Sequence, residues 1–160
     1  MKIDLEKFWK AVRLADVAEG LAEADPVRAA RLFADAEGTA KSITEKDRKA
    51  HALGEVARAL AATDPDRAER IAKSIPRGGW RDSALTAAAR ELAATDPDRA
   101  ERIVRSIPDP PYGTDFEKAS VLTDVARALA ATNPDRAERV AKSIPDQRWR
   151  AKALVAIAEA

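Results

Sequence analysis

"LAATDPDRAERI" spans residues 60–71, returns letter for letter at 92–103, and keeps ten of its twelve letters at 129–140. A more diverged copy, "LAEADPVRAARL", lies at 21–32. The stretch reads as a helix end followed by a helix start. Asp64 is a good N-cap, Pro65 suits the first helical turn because its missing amide hydrogen is not needed there, and Asp66 sits near the positive end of the macrodipole. The matching caps are Asp25, Asp96 and Asn133. Downstream, Ala68, Ile71, Ala72 and Ile75 recur at i, i+3, i+4 and i+7, one apolar stripe of an α-helix. Pro76 then stops the helix, as Pro108 and Pro145 do in the next copies. Upstream, Leu53, Val56, Ala57 and Leu60 form the same stripe on the preceding helix. Each unit is therefore a pair, helix A then helix B.

The caps are spaced by 39, 32 and 37 residues, and Trp9, Arg48, Trp80, Glu117 and Trp149 repeat those intervals and add another 32. Each of these five lies five residues before a leucine, at Leu14, Leu53, Leu85, Leu122 and Leu154, so all three tryptophans fill one repeat position. Units of approximately 9–47, 48–79, 80–116 and 117–148, with a half unit at 149–160, account for almost the whole chain. The extra length in the first unit, "RLFADAEGTAKSI", is close to two helical turns and reads as a longer helix B despite Gly38. The extra length in the third, "PDPPYGTDF", reads as an irregular loop from its Pro and Gly content.

A single pair of short helices cannot bury its own stripes, whereas stacked identical pairs give each one a complementary neighbour and a continuous core. Alanines such as Ala57, Ala89 and Ala126 permit close helix approach, and the larger aliphatics fill the gaps. The expected fold is all-α: one domain over residues 1–160, a right-handed α-solenoid of stacked antiparallel helix pairs with about nine helices. The layout, with its "L-x-x-V-A-x-x-L" from Leu53 to Leu60 and its Ala68, Ala72 and Ile75 spacing, resembles the tetratricopeptide and related α-solenoid helical-repeat families in architecture over nearly the whole chain. Those families serve as protein-binding scaffolds with helix A on the concave face. The resemblance implies a non-enzymatic TPR-like scaffold whose helix A surface takes a protein or peptide.

Composition narrows the function classes. With 46% hydrophobic and 34% charged residues the chain should fold rather than stay disordered, and 28 Lys plus Arg against 27 Asp plus Glu leave a net charge of +1, too small to recruit nucleic acid or an anionic membrane by overall field. The absence of Cys excludes disulfides, thiol catalysis and thiolate metal sites. The start "MKIDLEKFWK" lacks the apolar core of a secretory signal, and no apolar run approaches the roughly 20 residues of a membrane span, so a cytoplasmic, soluble protein is expected.

Several residue sets could carry function. The column Trp9, Trp80 and Trp149, with Phe8 and Phe116 beside it, could grip a peptide or stack on bases. Its recurrence with the structural period favours instead a joint between units, packed on Ile43, Ile75 or Ile144. Arginines recur on helix B at Arg28, Arg67, Arg99 and Arg136, and again at Arg31, Arg70, Arg102 and Arg139, beside acidic rows that should neutralise them; Glu69 and Lys73 form an i, i+4 pair. On helix A, Arg58, Arg90 and Arg127 form a third row, broken by Glu19 in the first unit, and this row is the preferred partner-binding feature, suited to an acidic or polar segment. His51, the only histidine, lacks the company a zinc site or acid–base pair requires and reads as surface or packing. No metal or cofactor is expected.

Alternatives remain open. The arginine rows could bind nucleic acid, although the net charge speaks against it; the "PDPPYGTDF" loop could hold an enzyme site using Tyr112, Asp109 or Asp115; the chain could be a regularised or designed repeat protein without a natural partner. The final "WRAKALVAIAEA" is a helix A without a helix B behind it, and so reads as a cap, a self-association surface, or the cut edge of a longer array.

Overall fold

The computed structural model describes residues 2–110 and 115–160, and every regular element among them is α-helical. In chain order these are α1 (Lys2–Leu21), α2 (Pro26–Lys41), α3 (Lys46–Leu60), α4 (Pro65–Ser74), α5 (Gly79–Leu92), α6 (Pro97–Ser106), α7 (Phe116–Leu129), α8 (Pro134–Lys142) and α9 (Gln147–Glu159). The odd-numbered helices are the A helices of the repeat and the even-numbered ones the B helices, so the fold is an all-α helical repeat. The described residues group into two compact units, Met1–Ala88 and Ala89–Ala160, with the division falling inside α5.

In the first unit α1 packs on α2 and α3, α2 on α3, and α3 on α4. Leu53, Val56, Ala57 and Leu60 of α3 are all buried, as are Ala68, Ile71 and Ala72 of α4 with Ile75 just beyond it. The apolar stripe is thus spent on neighbouring helices, and burial at roughly 25 cal/mol per Å² is what holds helices this short. α1 buries Phe8, Ala11, Ala15 and Ala18, small residues apart from the phenylalanine, while Val17 stays exposed. The added length of the first unit is helical: α2 has 16 residues where α4 and α6 have 10 each, and it runs through Gly38 without a break.

In the second unit α7 packs on α6, α8 and α9, and α8 packs on α9. The same stripe is buried again in Leu122, Val125, Ala126 and Leu129 on α7, and in Ala137, Val140, Ala141 and Ile144 on and just after α8.

The four B helices start alike. The side chains of Asp25, Asp64, Asp96 and Asn133 accept the backbone N–H of Arg28, Arg67, Arg99 and Arg136, with proline at the first position of each helix. α4 and α6 are followed by the C-cap residues Ile75 and Ile107, whose extended backbone is the conformation a following proline imposes. The sequence reads as a first helix starting after Asp4, and the structure departs from that expectation. A start after Asp4 would make that residue an N-cap, but α1 begins at Lys2 and Asp4 stands inside its first turn, because its carboxylate serves a different helix. It accepts the Thr44 hydroxyl at 2.7 Å and the Thr44 and Glu45 amides at 3.2 and 3.1 Å, at the entry to α3.

Candidate peptide-binding groove

The A helices of the first unit leave a groove of about 590 Å³ between α1, α3 and the start of α5. Its wall is a run of rings contributed by three helices. Phe8 meets Trp9 edge-on at a centroid distance of 5.2 Å, Phe8 lies 4.6 Å from His51, and His51 stacks on Trp80 at 3.6 Å with 14° between the planes. Phe8 is buried, but Trp9 remains 51% exposed and Trp80 41% exposed. The repeat period explains the convergence: Trp9, Arg48 and Trp80 share one repeat position, and all three line this groove.

Trp80 reaches its place because α5 comes very near α3 at Gly54. A Cβ on Gly54 would stand 3.3 Å from the Trp80 carbonyl oxygen and 3.4 Å from its Cβ, so hydrogen is the substituent that this approach accommodates without a shift. The turn before α5 uses Gly78 at φ +154°, outside the region favoured by residues with a side chain. Burial pulls the His51 imidazole below its ordinary value of 6.5, against an upward pull from Glu55, so His51 sits in the stack as a neutral ring at neutral pH. Glu45, Asp47, Arg48 and Glu55 make up the polar lip. Glu45 doubles as the N-cap of α3, accepting the Asp47 and Arg48 amides.

A second groove, of about 500 Å³, lies on the A helices of the second unit, between α7 and α9. Trp149 and Arg127 line it, and the Lys152 ammonium sits 4.6 Å from the centre of the Trp149 ring. Phe116, at the first position of α7, is exposed.

The predicted helix A row is exposed throughout, and two of its members are already paired on their own helices: Arg58 with Glu55 and Arg127 with Asp124, both at 2.9 Å. On helix B, two members of the first arginine row pair with carboxylates of the neighbouring B helix. Arg67 bridges to Glu37 of α2 at 2.6 Å; Arg136 reaches Asp98 and, at 2.8 Å, Glu101 of α6, which also receives Arg105 at 2.6 Å. Lys73 pairs with Glu69 at 2.7 Å. Burial pushes Glu37 and Glu101 upward, but hydrogen bonds from Lys41 and Arg67 in one case, and from Arg136 and Arg105 in the other, outweigh it and hold both below the usual 4.5.

Of the residues considered for chemistry in the "PDPPYGTDF" loop, Tyr112 lies outside the described residues. Asp115 is the N-cap of α7, and Asp109 pairs with Lys118 at 2.8 Å, so both have structural work. Among the described residues no cluster of three or more His, Asp or Glu could hold a metal ion. No helix among them is long and apolar enough to cross a membrane.

One recurring structural set in the repeat escaped the sequence reading. The residue after the tryptophan column is basic in every unit: Lys10, Lys49, Arg81, Lys118 and Arg150. Arg81 donates to the Lys73 and Ile75 carbonyls, Lys118 to that of Ile107, and Arg150 to those of Ile144 and Pro145. A cation placed on the orphan carbonyls at a helix C-terminus is a capping device. Its recurrence with the period was the available signal. No protein-family model, no curated protein and no solved structure matches this chain.

Proposed function

We propose that this chain is a non-enzymatic helical-repeat scaffold that binds a segment of a protein partner on its helix A surface. The observation that carries this reading is the half-exposure of Trp9 and Trp80 around a groove on the A helices. Large aromatic rings left partly open beside buried ones are the usual anchors of a recognition surface, because they offer large contact area with little entropy to lose. On the B helices, in contrast, Arg67 and Arg136 are spent on carboxylates of the neighbouring B helix. Arg58, Arg90 and Arg127 are exposed on their A helices, and the intrahelical pairs of Arg58 and Arg127 are weak enough to exchange for contacts with a partner's polar groups.

The test is selection of binders from a displayed random-peptide library against the full chain, followed by hydrogen exchange with a selected peptide bound. Protection concentrated in α1, α3 and α7, and loss of binding in a Trp9→Ala, Trp80→Ala or an Arg58→Glu, Arg90→Glu, Arg127→Glu variant that keeps its helicity, supports the reading. Protection confined to α2, α4 and α8, or failure to select any peptide, refutes it.

A further inference from the structure

Two observations bear on what the first-unit groove accepts. The first is charge. Three carboxylates, Glu45, Asp47 and Glu55, stand on its lip against the single guanidinium of Arg48. Counting Arg58, which shares Glu55, the balance is still acidic. His51 adds a ring without a positive charge at neutral pH. The second observation comes from the repeat itself. At the same repeat position in the second unit, the Trp149 face is covered by the chain's own Lys152 ammonium. The residues three places after Trp9 and Trp80 are Val12 and Ser83, so neither of those tryptophans receives a cation from the matching place in its own helix.

Resting on the reading of helix A as a peptide-binding surface, we propose that the first-unit groove takes an arginine or lysine side chain of the partner, next to an apolar residue. The cation lies on the Trp9 and Trp80 rings and its charge is met by the acidic lip. An indole face attracts a cation through its quadrupole, and the attraction grows as the cation sheds water in a partly enclosed groove. The apolar neighbour of the cation meets Leu5, Phe8 and Val12 on the α1 side. This assigns the aromatic groove to a basic partner segment, while Arg58 on α3 suits an acidic or polar flank.

The experiment records the three indole N–H signals of the ¹⁵N-labelled full chain, assigned with single Trp→Phe variants, during titration with three blocked dipeptides. These are acetyl-Leu-Arg-amide, its neutral near-isostere acetyl-Leu-citrulline-amide, and acetyl-Leu-Glu-amide. The expected result is movement of the Trp9 and Trp80 signals by the arginine probe, with affinity about fivefold or more above the citrulline probe. Asp47 is exposed and outside the core, so Asp47→Lys should leave the fold intact and remove that preference. Equal response to the citrulline probe, or a stronger response to the glutamate probe, overturns the cation assignment while leaving peptide binding on helix A standing. If no probe moves the Trp9 or Trp80 signal, the assignment is also overturned, and the helix A reading is then judged by the library selection alone.

Discussion

The imidazole of His51 lies flat on the indole of Trp80, with centroids 3.6 Å apart and planes 14° from parallel, and its other neighbour is the buried ring of Phe8 at 4.6 Å. His51 therefore links α1 to α5 through a side chain of α3. Replacing it with alanine should cost about 1 kcal/mol of stability and red-shift tryptophan emission as Trp80 gains water. Chemical denaturation followed by fluorescence reads both. The folded pKa of His51 is lowered, so the folded chain binds the proton less readily than the unfolded one. Its contribution is present in full above the ordinary value of 6.5 and is lost as pH falls through the folded value. The His51→Phe variant should lack that part of the pH dependence.

Asp4 predicts a second acid-sensitive contact. Hydrogen bonds from the Thr44 hydroxyl, the Thr44 amide and the Glu45 amide hold its carboxyl at about 2, below the ordinary 3.8. The sign again favours higher pH: the contribution is complete above the unfolded value and disappears as pH falls from 3.8 toward about 2. Asp4→Asn should lower the denaturation midpoint at neutral pH and flatten the loss of stability across that acid window. Thr44→Val should reproduce part of the effect, since the hydroxyl is the largest of the causes.

Gly54 faces the backbone of Trp80 with a gap that a methyl group would already crowd. Gly54→Val should destabilise by about 2 kcal/mol, because branched carbons directed at a backbone carbonyl force the helices apart. The comparison is Gly38→Val in α2, where nothing lies within 4 Å of an added Cβ. Glycine is a poor helix former, so that change should be neutral or stabilising. Parallel thermal melts separate the two.

Arg150 holds the carbonyls of Ile144 and Pro145 at 3.0 and 2.9 Å, where the chain leaves α8. Arg150→Leu should cost about 1 kcal/mol and accelerate amide exchange at the start of α9, since charge-assisted bonds to helix-end carbonyls are lost while the apolar stem is kept. Arg150→Lys should recover part of the stability, as Lys118 makes a single such contact to the Ile107 carbonyl.

Much of the architecture was legible in the sequence because it rests on local chemistry repeated at a fixed interval. The Asp-Pro and Asn-Pro starts at Asp25, Asp64, Asp96 and Asn133, the stops before Pro76 and Pro108, and the four-residue stripes all act within one or two helical turns. The helical reading of the long α2 through Gly38 followed from the same register argument. The start of α1 did not, because Asp4 satisfies amides about forty residues away. No local rule separates a carboxylate that caps its own helix from one that caps another.

The candidate site was only half legible. The tryptophan column and the arginine rows could be aligned on paper, and the pairing of Arg67 and Arg136 with carboxylates of a neighbouring helix is the kind of contact that adjacent rows of opposite sign lead one to expect. That His51 would join Phe8, Trp9 and Trp80 in one wall could not be read, since these residues come from three helices and meet only where Gly54 lets α5 approach α3. What the sequence by itself determined was the succession of helix pairs, the starts of the four B helices and the stripes that α3 and α4 bury, because capping, proline geometry and apolar periodicity are properties of a short stretch of chain. What only the tertiary structure decided was which surface rings stay open and which members of a charged row reach a neighbour, because exposure and pairing depend on distances between helices that no single stretch contains.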